Sequence, residues 1–172
     1  MRVSLSRRQL IQGFAALAPA ALATTTATAR SRLGIEARPA TAAQAGDIGP
    51  LAQDVLPDGI RSRFVDNING LRVHVLEAGF EGGRRPGLLL LHGFPELAYS
   101  WRNVMVPLAE AGYHVFAPDL RGYGRTTGWD PDYDGDLDSF RRLNVVRDAL
   151  GLVSAFGYRS ISVIGHDFGS PI

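Results

Sequence analysis

The chain has 172 residues, enough for one modest domain, and its 45% hydrophobic and 20% charged residues are typical of a folded globular protein. The formal net charge of +1 gives no reason to expect a nucleic acid or an acidic surface as a partner. Because the sequence contains no cysteine, disulfide bonds, thiolate catalysis and cysteine-ligated metals are excluded.

The N-terminus has the pattern of an export signal. Arg7 and Arg8, within SRRQLIQ, resemble the twin-arginine motif, and small residues end the segment. The apolar run that follows the two arginines, residues 13–23, is too short and too rich in alanine to be a stable membrane anchor. Residues 1–29 are therefore predicted to be a signal peptide that engages the twin-arginine export machinery transiently, which makes the protein periplasmic or secreted. The competing interpretation is an alanine-rich leader with a chance pair of arginines.

The rest of the chain is predicted to form an arm and a partial domain. Residues 30–60 contain several prolines and are predicted to be a linker or a loosely packed arm. Residues 61–172 alternate strand and helix patterns, beginning with two β-rich runs around the hairpin signal Asn69-Gly70. Continuous apolar runs predict buried strands, and helical spacing predicts two helices; the strands are expected in GLLLLHG, HVFAPDL and SISVIGHD, and the helices over Tyr99–Ala111 and Phe140–Phe156. Leu143, Val146, Leu150 and Val153 are expected to share the apolar side of the second helix, with Arg141, Arg142 and Asp148 elsewhere.

This alternation predicts an α/β fold with a mostly parallel sheet flanked by helices. Ligands of such sheets bind beyond the carboxyl ends of the strands. Three motif clusters, HGFPE, PDLRGYG and GHDFG, fall at those ends. The candidate site is therefore expected at this edge.

Asp167 is the candidate nucleophile, because it stands between Gly165 and Gly169 directly after an apolar strand. Where a strand turns abruptly into a helix, the backbone is strained at the apex of the turn. Small residues are needed on both sides of the apex because the backbones of the strand and the helix nearly touch there. The apex aspartate projects into the cleft and can attack carbon to form an ester. A glycine-flanked aspartate that merely caps a helix is the structural alternative.

The motif after the LLLL strand supplies the candidate oxyanion hole. Gly93 lets the backbone bend so that the Phe94 N–H can face the cleft. Together with the N–H of Phe168, the residue after the nucleophile, it would form a two-donor oxyanion hole for the tetrahedral species formed when water attacks the aspartyl ester. His92 is expected to be a packed, hydrogen-bonded histidine that orients this loop rather than the catalytic base.

HGFPE, YSWR, PDLRGYGRT and GHDFGSP together resemble the epoxide hydrolase branch of the α/β-hydrolase superfamily, over about residues 61–172. The resemblance implies that Asp167 opens an epoxide to an alkyl ester. It further implies that a histidine paired with an acidic residue activates water to release a vicinal diol, and that two tyrosines of a helical cap hydrogen-bond the epoxide oxygen. The expected partner is a small-molecule epoxide or a related electrophile.

Other branches of the superfamily fit less well. Haloalkane dehalogenases usually carry Asn and Trp where this sequence has Phe94 and Phe168. Fluoroacetate dehalogenases place arginine after the nucleophile, and esterases place serine at the position of Asp167. A dehalogenase-type hydrolase with the same aspartate is the alternative enzyme. Phe168 also differs from the tryptophan common in epoxide hydrolases, which bears on substrate preference.

The sequence also indicates roles for five further residues. Trp101 is a candidate for lining the pocket, although its helical spacing equally fits a core position. Asp119 is expected to fix loops, and His74, His114 and His166 to be structural. The RGYGRTTG stretch lacks the Gly-Lys-Ser/Thr of a phosphate-binding loop, and no metal-ligand spacing is present, so no cofactor or metal is expected.

In this superfamily the acid and the histidine follow the nucleophile along the chain. Only five residues follow Asp167. The general base, its acidic partner and the cap are therefore expected to be absent from this chain. The chain is expected to be truncated just after the nucleophile elbow, the turn at residues 165–169 that carries Asp167, and to be inactive alone. A non-catalytic remnant is the alternative.

Overall fold

The computed structural model describes residues 48–132 and 134–172. The predicted signal peptide and most of the predicted arm lie outside the described residues, and both stay predictions. The described end of the arm lies against the domain, because the Leu51 N–H donates to Ser62 Oγ at 2.8 Å and the Gln53 side chain donates to the Ile60 carbonyl at 2.9 Å.

The described residues form a five-stranded mixed sheet in the order β1-β2-β4-β3-β5. The first two pairings of this order are antiparallel, and the pairings of β3 with β4 and with β5 are parallel. The α/β class is confirmed, while the expectation of a mostly parallel sheet gives way to a mixed one because a hairpin begins the domain. The strands are β1 (Ile60–Ile68), β2 (Leu71–Ala78), β3 (Gly87–Leu91), β4 (His114–Pro118) and β5 (Ser162–Gly165).

The predicted hairpin joins β1 to β2. Asn69 and Gly70 both have positive φ, 50° and 83°, and Ile68 pairs with Leu71 across the turn. A two-residue turn with both central residues at positive φ matches the twist of the strands it connects. The Asn-Gly signal therefore predicted this element correctly.

Two helices cover opposite faces of the sheet. Alternate residues of the apolar run in β3 point to the two faces, so Leu88 and Leu90 join one core cluster while Leu89 and Leu91 join the other. No helix in the described part of the chain is both long enough and apolar enough to cross a bilayer. The helices are α1 (Arg102–Glu110), packed on the first cluster through Met105, and α2 (Arg142–Ala155), packed on the second through Leu152.

The predicted apolar face of α2 is correct only in part, because Val153 packs against the second core cluster but two of the leucines do not. Leu143 and Leu150 are 63% and 62% exposed, whereas Asp148 is buried. The Asp148 carboxylate accepts two hydrogen bonds from Arg121, at 2.7 and 2.9 Å, and one from the Asn69 side chain at 2.8 Å. A carboxylate with these partners can be buried. The helix therefore presents Asp148 and Leu152 to the domain rather than its most apolar stripe.

The prediction that β5 is buried is also wrong. Val163 and Ile164 are 52% and 43% exposed, while every residue of the neighbouring β3 is buried. Among the described residues β5 pairs only with β3, so it forms the edge of the sheet. Its apolar composition nevertheless suits a strand covered on both faces.

Candidate active site

The candidate site lies where three parallel strands end. The chain leaves β3 at His92, β4 at Asp119 and β5 at His166, and these strands are neighbours in the sheet. The carboxyl ends of neighbouring parallel strands lie at one edge, which is the expected ligand edge of an α/β sheet. The three motif clusters predicted from the sequence therefore do meet.

Asp167 occupies a sharp turn from β5 into a short 3-10 turn, Asp167–Gly169. Its φ is 49°, in the left-handed region that side chains other than glycine seldom adopt. A Cβ on Gly165 would lie 2.4 Å from the Gly169 carbonyl oxygen, and one on Gly169 would lie 2.3 Å from the Leu91 carbonyl oxygen. Both glycines are therefore required by close backbone contacts, as the elbow pattern predicts.

Backbone donors converge on the Asp167 carboxylate. The Phe94 N–H donates to Oδ1 at 3.0 Å. This contact, helped by the Phe168 N–H and the nearby His166, lowers the pKa of Asp167 below its ordinary value of 3.8, although some desolvation opposes the shift. The two N–H groups predicted to form an oxyanion hole thus already face the aspartate, which is solvent-exposed and ionised at neutral pH.

Two aromatic rings flank this carboxylate at the surface. Phe94 and Phe168 are 64% and 63% exposed, and their ring centroids lie 6.4 Å apart at an interplanar angle of 62°. Exposed aromatic rings beside a reactive group form an apolar contact surface for a ligand. The same two residues thus supply backbone donors and apolar side chains to the site.

His92 orients the loop after β3, as expected. Its Nε2 accepts from the Leu120 N–H at 3.0 Å, so the proton of the neutral ring lies on Nδ1, which donates to the Gly93 carbonyl at 2.9 Å. Burial lowers the pKa of His92 below 6.5, against the opposing effects of Gly93, Asp119 and Glu96. The ring therefore links the loops that follow β3 and β4.

We expect the His92 ring to stay neutral at pH 6.5, where an ordinary histidine is half protonated, because its lowered pKa places protonation at more acidic pH. Nitrogen-15 NMR of the imidazole should show a protonated Nδ1 and an unprotonated Nε2 at this pH. An imidazolium signal for His92 at pH 6.5 would contradict this assignment.

Asp119 fixes loops, as expected from the sequence. Its buried carboxylate accepts from the Ala98 N–H at 2.9 Å, the Arg125 N–H at 2.9 Å and His74 Nδ1 at 2.7 Å. Burial alone would raise the pKa of Asp119, but these donors lower it below the ordinary value of 3.8. His74 Nε2 in turn contacts Ser62 Oγ at 2.7 Å. A chain of hydrogen bonds therefore connects β1, β2 and the loops beside the site.

Three further residues of the sequence motifs, His166, Glu96 and Trp101, have structural contacts. His166 Nδ1 lies 3.2 Å from Glu96 Oε2, which connects the residue before Asp167 to the loop that carries Phe94. The sequence analysis quoted Glu96 within HGFPE without assigning it a role, and its place directly after Phe94-Pro95 was the available signal. Trp101 packs against the first core cluster, and its buried Nε1 has no hydrogen-bond partner among the described residues.

All four histidines of the sequence lie in the described part, and each makes a hydrogen bond to a group other than the Asp167 carboxylate. None of their recorded hydrogen bonds involves the Asp167 carboxylate. The bonds of His74, His92 and His166 are those given above, and His114 contacts Glu77 at 2.6 Å and the Tyr158 hydroxyl at 2.8 Å.

The elbow, its glycines and the loop after β3 fall within a region that matches a known family. The family model for the alpha/beta hydrolase fold matches residues 86–172, half of the chain. The chain belongs to the alpha/beta hydrolase fold family. It is therefore a hydrolase by family, and the described residues form the N-terminal part of that fold.

Proteins similar in sequence to this α/β hydrolase include several epoxide hydrolases. The AB hydrolase superfamily protein YfhM of Bacillus subtilis is 44% identical over 115 residues, which are 67% of this chain and 37% of YfhM. Epoxide hydrolase A of Mycobacterium tuberculosis is 43% identical over 110 residues, which are 64% of this chain and 32% of that protein. The chain thus spans about a third of the length of these curated relatives.

Solved structures give the same result for this α/β hydrolase. Epoxide Hydrolase A from Mycobacterium thermoresistibile superimposes with a TM-score of 0.57 at 41% identity, covering 64% of this chain and 32% of that one. A laboratory-evolved variant of potato epoxide hydrolase gives a TM-score of 0.56 at 44% identity, covering 64% of this chain and 33% of that one.

Proposed function

We propose that Asp167 is the nucleophile of an epoxide hydrolase-type reaction. The observation that carries this proposal is the placement of an ionised, exposed aspartate at a strained turn, with its Oδ1 held by the Phe94 N–H at 3.0 Å. With Oδ1 held, Oδ2 is the oxygen left to attack. The similarity to epoxide hydrolases supports an epoxide as the electrophile.

The proposed chemistry has two halves. In the first, Asp167 Oδ2 forms a bond to an epoxide carbon, the ring C–O bond breaks, and the released alkoxide takes a proton from solvent water to become a hydroxyl. In the second, water loses a proton to a base and adds to the Asp167 Cγ, so that negative charge develops on Oδ1 beside the Phe94 and Phe168 N–H groups. Cleavage of the bond from Cγ to the alkyl oxygen, with return of the proton from the base to that oxygen, then releases a vicinal diol and restores the carboxylate.

The second half requires a base within hydrogen-bond reach of the ester and its water. The four histidines of the sequence have other hydrogen-bond partners. We therefore expect the 172-residue chain to form the ester and to retain it.

Incubation of the chain with styrene oxide tests the proposal. We expect an adduct of one styrene oxide mass, which tandem mass spectrometry of a digest should locate on Asp167. Asp167→Asn should lose this adduct, and Asp138→Asn, at an exposed aspartate, should keep it. Because the pKa of Asp167 is lowered, the rate of adduct formation should not fall between pH 7 and pH 5.

Two results would contradict the proposal: equal labelling of Asp167→Asn, or a rate that falls with a midpoint above the ordinary value of 3.8. Replacing the epoxide with 1-chlorohexane tests the dehalogenase alternative. Chloride release together with an alkyl adduct on Asp167 would favour that alternative.

A further inference from the structure

A cavity opens beside Asp119, at the same edge of the sheet as Asp167. Its volume is about 290 Å³, at the lower end of the range of small-molecule sites. Most of its wall is apolar and comes from the arm before β1 and from the segment after HGFPE. These wall residues are Leu51, Val55, Leu97 and Tyr99.

Arg125 lines this cavity and has an unusual environment. Its Nε is buried and has no hydrogen-bond acceptor among the described residues. Among the described residues, Arg125 makes one hydrogen bond, which its backbone N–H donates to Asp119 Oδ2. By contrast, the buried guanidinium of Arg121 is paired with the Asp148 carboxylate. The half-exposed Arg125 side chain therefore makes no hydrogen bond among the described residues, and its guanidinium has donors available for an acceptor that enters the cavity.

The other polar groups of the cavity wall already have partners. Asp119 Oδ1 accepts from the Ala98 N–H, and Oδ2 accepts from His74 and from the Arg125 backbone. His74 Nε2 contacts Ser62 Oγ. The Tyr99 hydroxyl donates to the Val55 carbonyl at 3.0 Å. Three donors thus compensate the charge on Asp119. Among the described residues of the cavity wall, the Arg125 side chain is the polar group whose donors have no acceptor.

We propose that this cavity binds an amphipathic carboxylate, with the carboxylate on the Arg125 guanidinium and an alkyl chain against Leu51, Val55 and Leu97. The planar guanidinium presents paired N–H donors whose geometry matches a carboxylate. The apolar wall accounts for the alkyl chain, and the volume limits the ligand to a short one. This site does not depend on the chemistry proposed for Asp167.

Calorimetric titration of the full 172-residue chain with octanoate tests this inference. We expect saturable binding with a Kd of about 1 mM or tighter. Arg125→Met, which keeps a long apolar side chain but removes the charge, should weaken octanoate binding about tenfold. Arg159→Met, at an exposed arginine away from the cavity, should leave the affinity unchanged. For the wild-type chain, 1-octanol should bind about tenfold more weakly than octanoate because it lacks the charge.

Equal octanoate affinity in Arg125→Met, equal affinity for 1-octanol, or no saturable binding would each overturn the proposal. If circular dichroism shows that Arg125→Met does not fold, Leu97→Glu provides the test, because Leu97 is 38% exposed and tolerates a polar side chain. The new carboxylate should repel octanoate, and undiminished affinity in that variant would overturn the proposal. Octanoate has no epoxide, so failure of Asp167 to form an adduct does not affect this result.

Discussion

Substitution of Glu77 by glutamine is expected to lower the free energy of unfolding by about 3 kcal/mol at pH 7. Glu77 is 1% exposed in the middle of the sheet. Its Oε2 accepts from Arg61 Nε at 2.9 Å and from Arg63 Nε at 2.7 Å, and its Oε1 lies 2.6 Å from His114 Nε2. Glutamine would keep the shape of the side chain but would lose the charge that these donors stabilise.

The pH dependence of this effect follows from the pKa of Glu77. Burial alone would raise this pKa, but the hydrogen bonds from His114, Arg61 and Arg63 lower it from 4.5 to about 2. Because the folded-state pKa lies below the unfolded one, the stabilisation is complete above about pH 4.5 and is lost as the pH falls towards 2. The difference between wild type and Glu77→Gln should therefore shrink to about 1 kcal/mol at pH 3.

Urea denaturation at pH 7 and pH 3 measures this difference. Glu81→Gln, at an exposed glutamate, is the matched control and should change the free energy of unfolding by less than about 0.5 kcal/mol at both pH values. A difference for Glu77→Gln that stays constant with pH would mean that lost packing, rather than the lost charge, causes the destabilisation.

Alanine in place of Gly169 is expected to lower the free energy of unfolding by about 3 kcal/mol and to abolish adduct formation on Asp167. The new Cβ would lie 2.3 Å from the Leu91 carbonyl oxygen and 2.7 Å from the Leu91 carbonyl carbon. Both are backbone atoms of a buried central strand, so the elbow must move instead. That movement would separate Asp167 from the Phe94 N–H.

Urea denaturation and styrene oxide labelling measure these two effects separately. Gly83→Ala is the control, because a Cβ at Gly83 meets nothing within 4 Å, and it should change neither stability nor labelling appreciably. Normal labelling of Gly169→Ala would show that the elbow tolerates a side chain there, contrary to the close contact.

The sequence predicted the elements of this fold because they depend on local patterns. The Asn69-Gly70 turn and the apolar runs of β3 and β4 carry their own signals, and these elements formed where expected. The Gly165 and Gly169 spacing likewise predicted the close backbone contacts of the elbow. These signals require no knowledge of distant partners.

Long-range partners explain what the sequence did not predict. The buried face of α2 depends on the ion pair between Asp148 and Arg121, which are 27 residues apart. The loop-fixing role of Asp119 was predicted, but its partners were not, because the hydrogen bonds that join Ser62, His74 and Asp119 connect residues 12 and 45 positions apart. The exposure of β5 depends on its position in the sheet, which its apolar composition does not reveal.

The edge position of β5 would couple the reaction proposed for Asp167 to local opening of the sheet. Within the described residues β5 is attached through β3 alone, and such segments open at a lower free energy than the core. The hydrogen bond from the Phe94 N–H to Asp167 also attaches the end of β5 to the loop after β3. Ester formation would remove the negative charge of this acceptor and weaken that attachment. In the proposed reaction, ester formation on Asp167 would thus loosen the strand that precedes it.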